Sequence, residues 1–170
     1  MVRTCLAVVL CLGLGVTGFS VAALADPAAH SDGIAIKGGV DHPKTLALAD
    51  LQHESQTTVT ISQHTGHGTL AGAFTGVSLW TLLQEAGVAL DKGKKNDLIH
   101  HTVTVTGGDG YNAVLSLGEI APEIGDDQAV IAWQKDGTPL ESGQGFARLI
   151  IPGDKAASRA VSAITTIEVK

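Results

Sequence analysis

Two alternating segments, His101 to Thr106 and Tyr111 to Leu115, stand on either side of the tetrapeptide Gly107-Gly108-Asp109-Gly110. Side chains with a period of two present one face of a strand, and glycine with aspartate supplies the backbone conformations of a tight turn. This pair reads as a β-hairpin, and a hairpin needs a sheet to join. Further strand signals follow it. Gln128 to Gln134 reads as a buried strand, and Lys135-Asp136-Gly137 is a turn that returns the chain to Thr138, Pro139 and Leu140. Phe146 to Ile151 is a strand stopped by Pro152 and Gly153, and Ile164 to Val169 is a last alternating strand.

The N-terminal half is mixed. Ile34 to Ile36 reads as a short edge strand, Leu46, Leu48 and Leu51 as a strand running into a helical turn at 49–52, and Thr57 to Gln63 as a good strand. From His64 to Gly76 no period is visible, and four glycines and two histidines suggest a long loop of functional or mobile character. Ser78 then caps a helix through Leu79, Leu82, Leu83 and Ala86, closed by Gly87. Asp91 to Asp97 is a lysine-rich loop, and Leu117 to Ile120 a short helix. The predicted fold class is α+β, a β-rich domain with one clear helix.

Arg3, the apolar run Leu6 to Val16 and Ala23-Leu24-Ala25 before Asp26 form a secretory signal peptide over 1–25, too short and wrongly flanked for a permanent span. The expectation is a periplasmic protein, soluble after cleavage and not inserted in the membrane, with a lead-in at 26–44 and one domain at 45–170. Both cysteines, Cys5 and Cys11, fall within the leader, so the mature chain has no disulfide. Leu10, where a lipoprotein site wants a small residue, argues against a lipid anchor. The net charge of −6 makes nucleic acid an unsuitable partner.

His64 and His67 in the glycine-rich stretch, with His100 and His101 at the start of a strand, invite a metal reading, but loop spacing without cysteine or acid is a weak motif. Adjacent strand histidines also face opposite ways. No metal site is expected. No nucleophile-elbow or Ser/His/Asp pattern is present, and no catalytic residue is assigned.

The order of specific residues says more than their periodicity. Gly76-Val77-Ser78-Leu79, then Leu82, Leu83 and Gly87, then Gly108-Asp109-Gly110-Tyr111, then Asp136, Gly137, Pro139, Leu140, Gly145, Arg148, Pro152 and Gly153 form an ordered set. The set resembles the molybdopterin-binding domain of the sulfite oxidase family, over Thr45 to Val169. That resemblance implies a mainly β, mixed-sheet fold around a pyranopterin with a phosphate tail and a molybdenum atom held by a cysteine thiolate. His64 falls at about the place of that cysteine, and soft thiolate is the ligand such a metal prefers.

The resemblance therefore implies a pterin or molybdopterin-like ligand with no molybdenum. It also implies a role in ligand sensing or delivery to the periplasmic part of a membrane-bound signalling protein, and leans away from an enzyme. Two alternatives stay open: a molybdopterin-dependent oxidoreductase with non-thiolate ligation, in which His64 or solvent replaces the thiolate, and a cofactor-free interaction module.

By the same resemblance Arg148 lies beside the cofactor and Arg159 at its phosphate or pterin end, guanidinium forks being suited to either. Ser162 stands where the family often has lysine. Asp109 and Tyr111 offer an acceptor and a ring or hydroxyl to a pterin, although Asp-Gly is equally what a type I′ turn wants and a half-buried tyrosine is natural in a strand. His64 or His67 offers an imidazole, and Phe74, among the glycines, is the preferred stacking ring; Trp80 and Trp133 read as packing groups.

Overall fold

The computed structural model describes residues 33–170; the leader and the first part of the lead-in, 26–32, lie outside the described residues. Two five-stranded sheets face one another across a shared apolar core. The strands are β1 (Ile34–Gly38), β2 (Lys44–Leu46), β3 (Gln56–Thr65), β4 (Gly68–Ser78), β5 (Thr102–Gly107), β6 (Asn112–Ser116), β7 (Val130–Lys135), β8 (Thr138–Pro139), β9 (Arg148–Ile150) and β10 (Ile164–Val169). The helices are α1 (Leu48–His53), α2 (Leu79–Ala86) and α3 (Leu117–Ile120), with 3-10 turns at Asp97–His100 and Ala157–Arg159.

The first sheet runs β2-β1-β10-β5-β6, with β1 and β10 parallel and the other pairs antiparallel. The mixed sheet and α+β class match expectation. Ile34 to Ile36 is not an edge, however, because β1 pairs with β2 on one side and β10 on the other. The second sheet is antiparallel, β3-β4-β7-β8, with β9 also on β7. Alternation along β7 and β9 sends Ile131, Trp133 and Leu149 into the main core and Val130, Ala132 and Ile150 into a smaller cluster on the opposite face.

The stretch from His64 to Gly76 is not a loop. It is a hairpin in unbroken register from Gln56↔Val77 to Thr65↔Gly68, turning at Gly66 and His67. The glycines that hid the strand serve its packing. At Gly76, beside a bulge in the β4–β7 ladder, a methyl group would overlap the Ile131 carbonyl and the Ala132 Cα, so glycine lets two strands approach closely.

The two other hairpins differ in turn type. In Gly107–Gly110 only Gly110 has a positive φ, 82°, and the Gly107 amide donates to the Tyr111 carbonyl across three intervening residues. That is a three-residue connection, not the two-residue type I′ turn expected of Asp-Gly. The mirror-image turn is instead at Asp136 and Gly137, with φ of 51° and 78°, between Lys135 and Thr138.

Helix α2 buries Leu79, Leu82, Leu83 and Ala86 against the main core and ends at Gly87 in the left-handed conformation. Ser78 occupies the N-cap position, but its hydroxyl makes no capping bond. Among the described residues no helix is long and apolar enough to cross a membrane.

Candidate functional site

Pro152 and Gly153 end the β9 segment, and the chain from Asp154 to Ala160 then crosses between the two sheets' ends as a short irregular strip. Four of the seven residues predicted for the site meet this strip. His64, at the end of β3, forms a parallel bridge with Ala156, and its amide donates to the Lys155 carbonyl at 3.1 Å. Tyr111 donates its hydroxyl to the Ser158 carbonyl. Arg148 reaches the Ala160 carbonyl at 3.4 Å through Nη2 and the Gln144 Oε1 at 3.1 Å through Nη1. Arg159 belongs to the strip itself.

A depression of about 350 Å³ opens between the β3 end and the strip, lined by His64, Thr65, Gly66, Ala156, Ala157 and Ser158. Its floor is mostly backbone and small side chains, with the exposed His64 as the one ionisable group among them. Gln63 fastens the wall: its side chain is buried in phase with Val59 and Ile61, and Nε2 donates to the Ile151 carbonyl at 2.6 Å. That bond ties β3 to the start of the strip.

The two arginines differ in kind. Arg159 is 30% exposed and sits among three carboxylates, at 2.6 Å from Asp154, 3.5 Å from Glu119 and 3.9 Å from Asp127. Its hydrogen bond to Asp154 pushes the guanidinium further up from its ordinary value, and its charge is spent within the protein. Arg148 has no carboxylate partner among the described residues. Burial pushes it down, yet an arginine remains charged, and its Nε is buried with no hydrogen-bond partner. Its two Nη atoms donate to Gln144 and Ala160, so what distinguishes it from Arg159 is a positive charge that no carboxylate balances, since a buried polar donor ordinarily has a partner.

The remaining three residues lie elsewhere. Phe74 is 0% exposed and packs with Val59, Ile61, Ala132 and Ile150 in the smaller cluster, so its ring is not available for stacking. The glycine-rich context that suggested a loop residue was a strand context. His67 is at the β3–β4 turn, where its amide donates to Thr65 Oγ1 at 3.3 Å, beyond the residues that line the depression. Asp109 uses Oδ1 to accept the Tyr111 amide at 2.9 Å, which is turn chemistry. Tyr111 itself is 51% exposed, not half-buried in a strand.

The four histidines do not converge as a metal reading would need. His100 ends a 3-10 turn, and His101 follows it, with Nε2 3.0 Å from Asp97 Oδ2. Asp97 also accepts the Asp91 amide and pairs with Lys94 at 3.0 Å; these bonds, His101 first, hold its carboxyl well below the usual carboxylate range. Sequence reasoning missed this clasp, along with Gln63 and the residues of the strip. Gln63 had a signal, a polar residue in the apolar phase of a strand. Ala156 to Ser158 had none, since they contribute backbone.

The donor set bears on the cofactor that the fold implies. Residues 33–170 contain no cysteine, so they supply no thiolate to a metal, whereas the unbalanced charge of Arg148 and the polar groups of the strip are of the chemical kind that the oxygen and nitrogen edge of a pterin pairs with.

Comparison with known proteins agrees with this architecture. The chain matches, at 21% identity and a TM-score of 0.66, the crystal structure of the sulfane dehydrogenase SoxCD from Paracoccus pantotrophus, covering 82% of this chain and 38% of that one. The likeness shows a shared fold, and the present chain spans under two fifths of that protein's length. No curated protein matches by sequence. A family model described as the oxidoreductase molybdopterin binding domain matches residues 21–170. On that match and this fold, the chain belongs to the oxidoreductase molybdopterin-binding domain family.

Proposed function

We propose that this protein is an exported, pterin-binding member of its family that works by ligand sensing or delivery to a membrane-bound signalling partner rather than by molybdenum redox chemistry. The observation that carries the reading is Arg148, a half-buried guanidinium with no carboxylate partner among the described residues and an unused Nε donor, bonded to the same strip that His64 and Tyr111 meet. A phosphate or the carbonyl edge of a pterin would give the Arg148 guanidinium the negative partner that no described carboxylate provides. The signal-peptide pattern over 1–25 supports export to the periplasm, and the lack of cysteine in residues 33–170 supports binding without a molybdenum thiolate.

A second reading has its own support. His64 lines the depression at the place where the resemblance puts the metal's thiolate, so an oxidoreductase using a non-thiolate ligand is the alternative. The SoxCD match, a sulfane dehydrogenase, is consistent with it at the level of fold.

The test begins with protein purified from the exported fraction of its own host, with acid release of bound small molecules, pterin fluorescence and metal analysis. Pterin without molybdenum supports the proposal. Stoichiometric molybdenum moves the assignment to the oxidoreductase, and a protein that is empty and ignores added pterins leaves an interaction module. Arg148→Ala is expected to weaken pterin binding by ~1.5–3 kcal/mol, the range for a hydrogen bond to a charged group. An unchanged affinity places the pocket elsewhere.

A further inference from the structure

Among the described residues, the sheet edges other than β3 are short or partly covered. Strand β2 has three residues and β8 two, the second being Pro139. On β6, the outward Ser116 amide is taken by Glu119 Oε2 at 2.7 Å, and on β9 the Leu149 amide donates to the Val161 carbonyl. Natural sheets blunt their edges in these ways, because an open row of amides and carbonyls pairs with any extended chain.

Strand β3 does none of this. It has ten residues, all paired with β4 on one side, and among the described residues its other side is met only at His64. Since the His64 amide points outward to Lys155, strand alternation directs the amides and carbonyls of Thr58, Thr60 and Ser62 outward as well. Their side chains are exposed. The free length, Gln-Thr-Thr-Val-Thr-Ile-Ser over 56–62, holds no charge, proline or glycine, and its register with β4 has no bulge. It is about 20 Å of straight, β-favouring edge.

A second depression, of about 240 Å³, lies at the Thr57 end, where Thr57, Trp80, Pro122, Asp126, Asp127 and Val130 are among its walls. Asp127 is shared at 3.9 Å with Arg159, while the Asp126 carboxylate makes no ion pair or hydrogen bond with a described residue. An indole beside carboxylates suits an organic cation.

We propose that the β3 edge receives an extended segment of a partner polypeptide as an added strand, with a lysine or arginine of that segment seated between Trp80 and Asp126. Backbone pairing supplies the affinity and the cation sets the register. Charge complementarity selects this occupant over a second copy: β3 contains no lysine or arginine, and each copy carries a net charge of −6. Pairing one short edge also buries far less than the ~1,200 Å² of a stable dimer. The surface adjoins the strip at His64 and through Asp127 but includes neither Arg148 nor its partners, so its test, which varies Thr60 and Asp126, is separate from that of pterin binding.

The test uses the full exported protein and a fluorescein-labelled peptide of alternating threonine and valine with arginine at both ends, so that either strand direction brings a cation to the depression. Fluorescence anisotropy should show saturable binding that weakens with salt. Thr60→Pro removes an outward amide without touching the β4 ladder and should cut affinity ~10-fold or more. Asp126→Asn should cut it several-fold for the arginine peptide and leave a glutamine-ended control unchanged. Absence of binding, or binding indifferent to Thr60→Pro in a variant with wild-type circular dichroism, overturns the proposal. Equal binding of arginine- and glutamine-ended peptides overturns the cation's place in it. A native dimer that Thr60→Pro converts to monomer assigns the edge to a second copy and overturns the partner segment.

Discussion

Replacing Phe74 with alanine tests whether this ring belongs to a core or to a ligand pocket. The ring is fully buried on the second sheet's outer face, opposite Val59 in the β3–β4 register and against Ile61, Ala132 and Ile150. Removing a buried phenylalanine costs ~3–5 kcal/mol, combining lost transfer energy with the cavity left behind. The sheet limits collapse around that cavity, since four of its neighbours are fixed by strand pairing. With an unfolding entropy of ~2.1 cal/mol/K per residue over 33–170, each kcal/mol shifts the midpoint by ~3–4 °C, so Phe74→Ala should lower it by ~10–17 °C. Phe74→Leu keeps most of the apolar volume and should cost a third to a half as much. Thermal and urea unfolding read both values. The pterin affinity of the still-folded Phe74→Leu protein should stay within about twofold of wild type, below 0.5 kcal/mol. A loss under about 1 kcal/mol for the alanine variant, or a large affinity loss for the leucine variant, would refute the core assignment.

Gly76→Ala should destabilise by ~1–3 kcal/mol in urea unfolding, because the added methyl meets β7 backbone that cannot yield without breaking the ladder; a neutral result would mean that the strands separate easily there. Arg159→Met should cost ~0.5–1.5 kcal/mol, less at high salt, since its partners are partly solvated; a larger effect on ligand affinity than that of Arg148→Ala would reverse the roles given to the two arginines. Asp97 has a folded-state pKa below its unfolded value, so its contribution is present above about pH 4 and is lost as pH falls below that value. Urea midpoints measured from pH 6 down to pH 3 should therefore fall less steeply for Asp97→Asn than for wild type, and parallel curves would remove the clasp from the acid response.

Local signals made much of this protein legible. Helix α2 declared itself through Leu79, Leu82, Leu83 and a closing Gly87, and the strands from β5 onward through alternation and turn residues. Those patterns depend on neighbours within a few positions, which is why they survive without tertiary context. The ordered glycines, prolines and Arg148 led to the right family for a related reason: each marks a backbone or charge requirement at one place in the chain.

What remained illegible depended on residues brought together from afar. The strand character of His64 to Gly76 was hidden because Gly76 answers to β7, more than fifty positions on, and an isolated sequence shows the glycine but not the backbone that requires it. Likewise the residue pattern could favour Arg148 over Arg159 only on the general exposure of arginine, with no view of either one's partners. Only the fold encloses one among three acids and leaves the other buried with a donor unused, because ion pairing is decided by three-dimensional proximity and sequence spacing does not encode it. The sequence by itself determined the class of domain and the kind of ligand to look for; the tertiary structure decided which side chains are free to meet one.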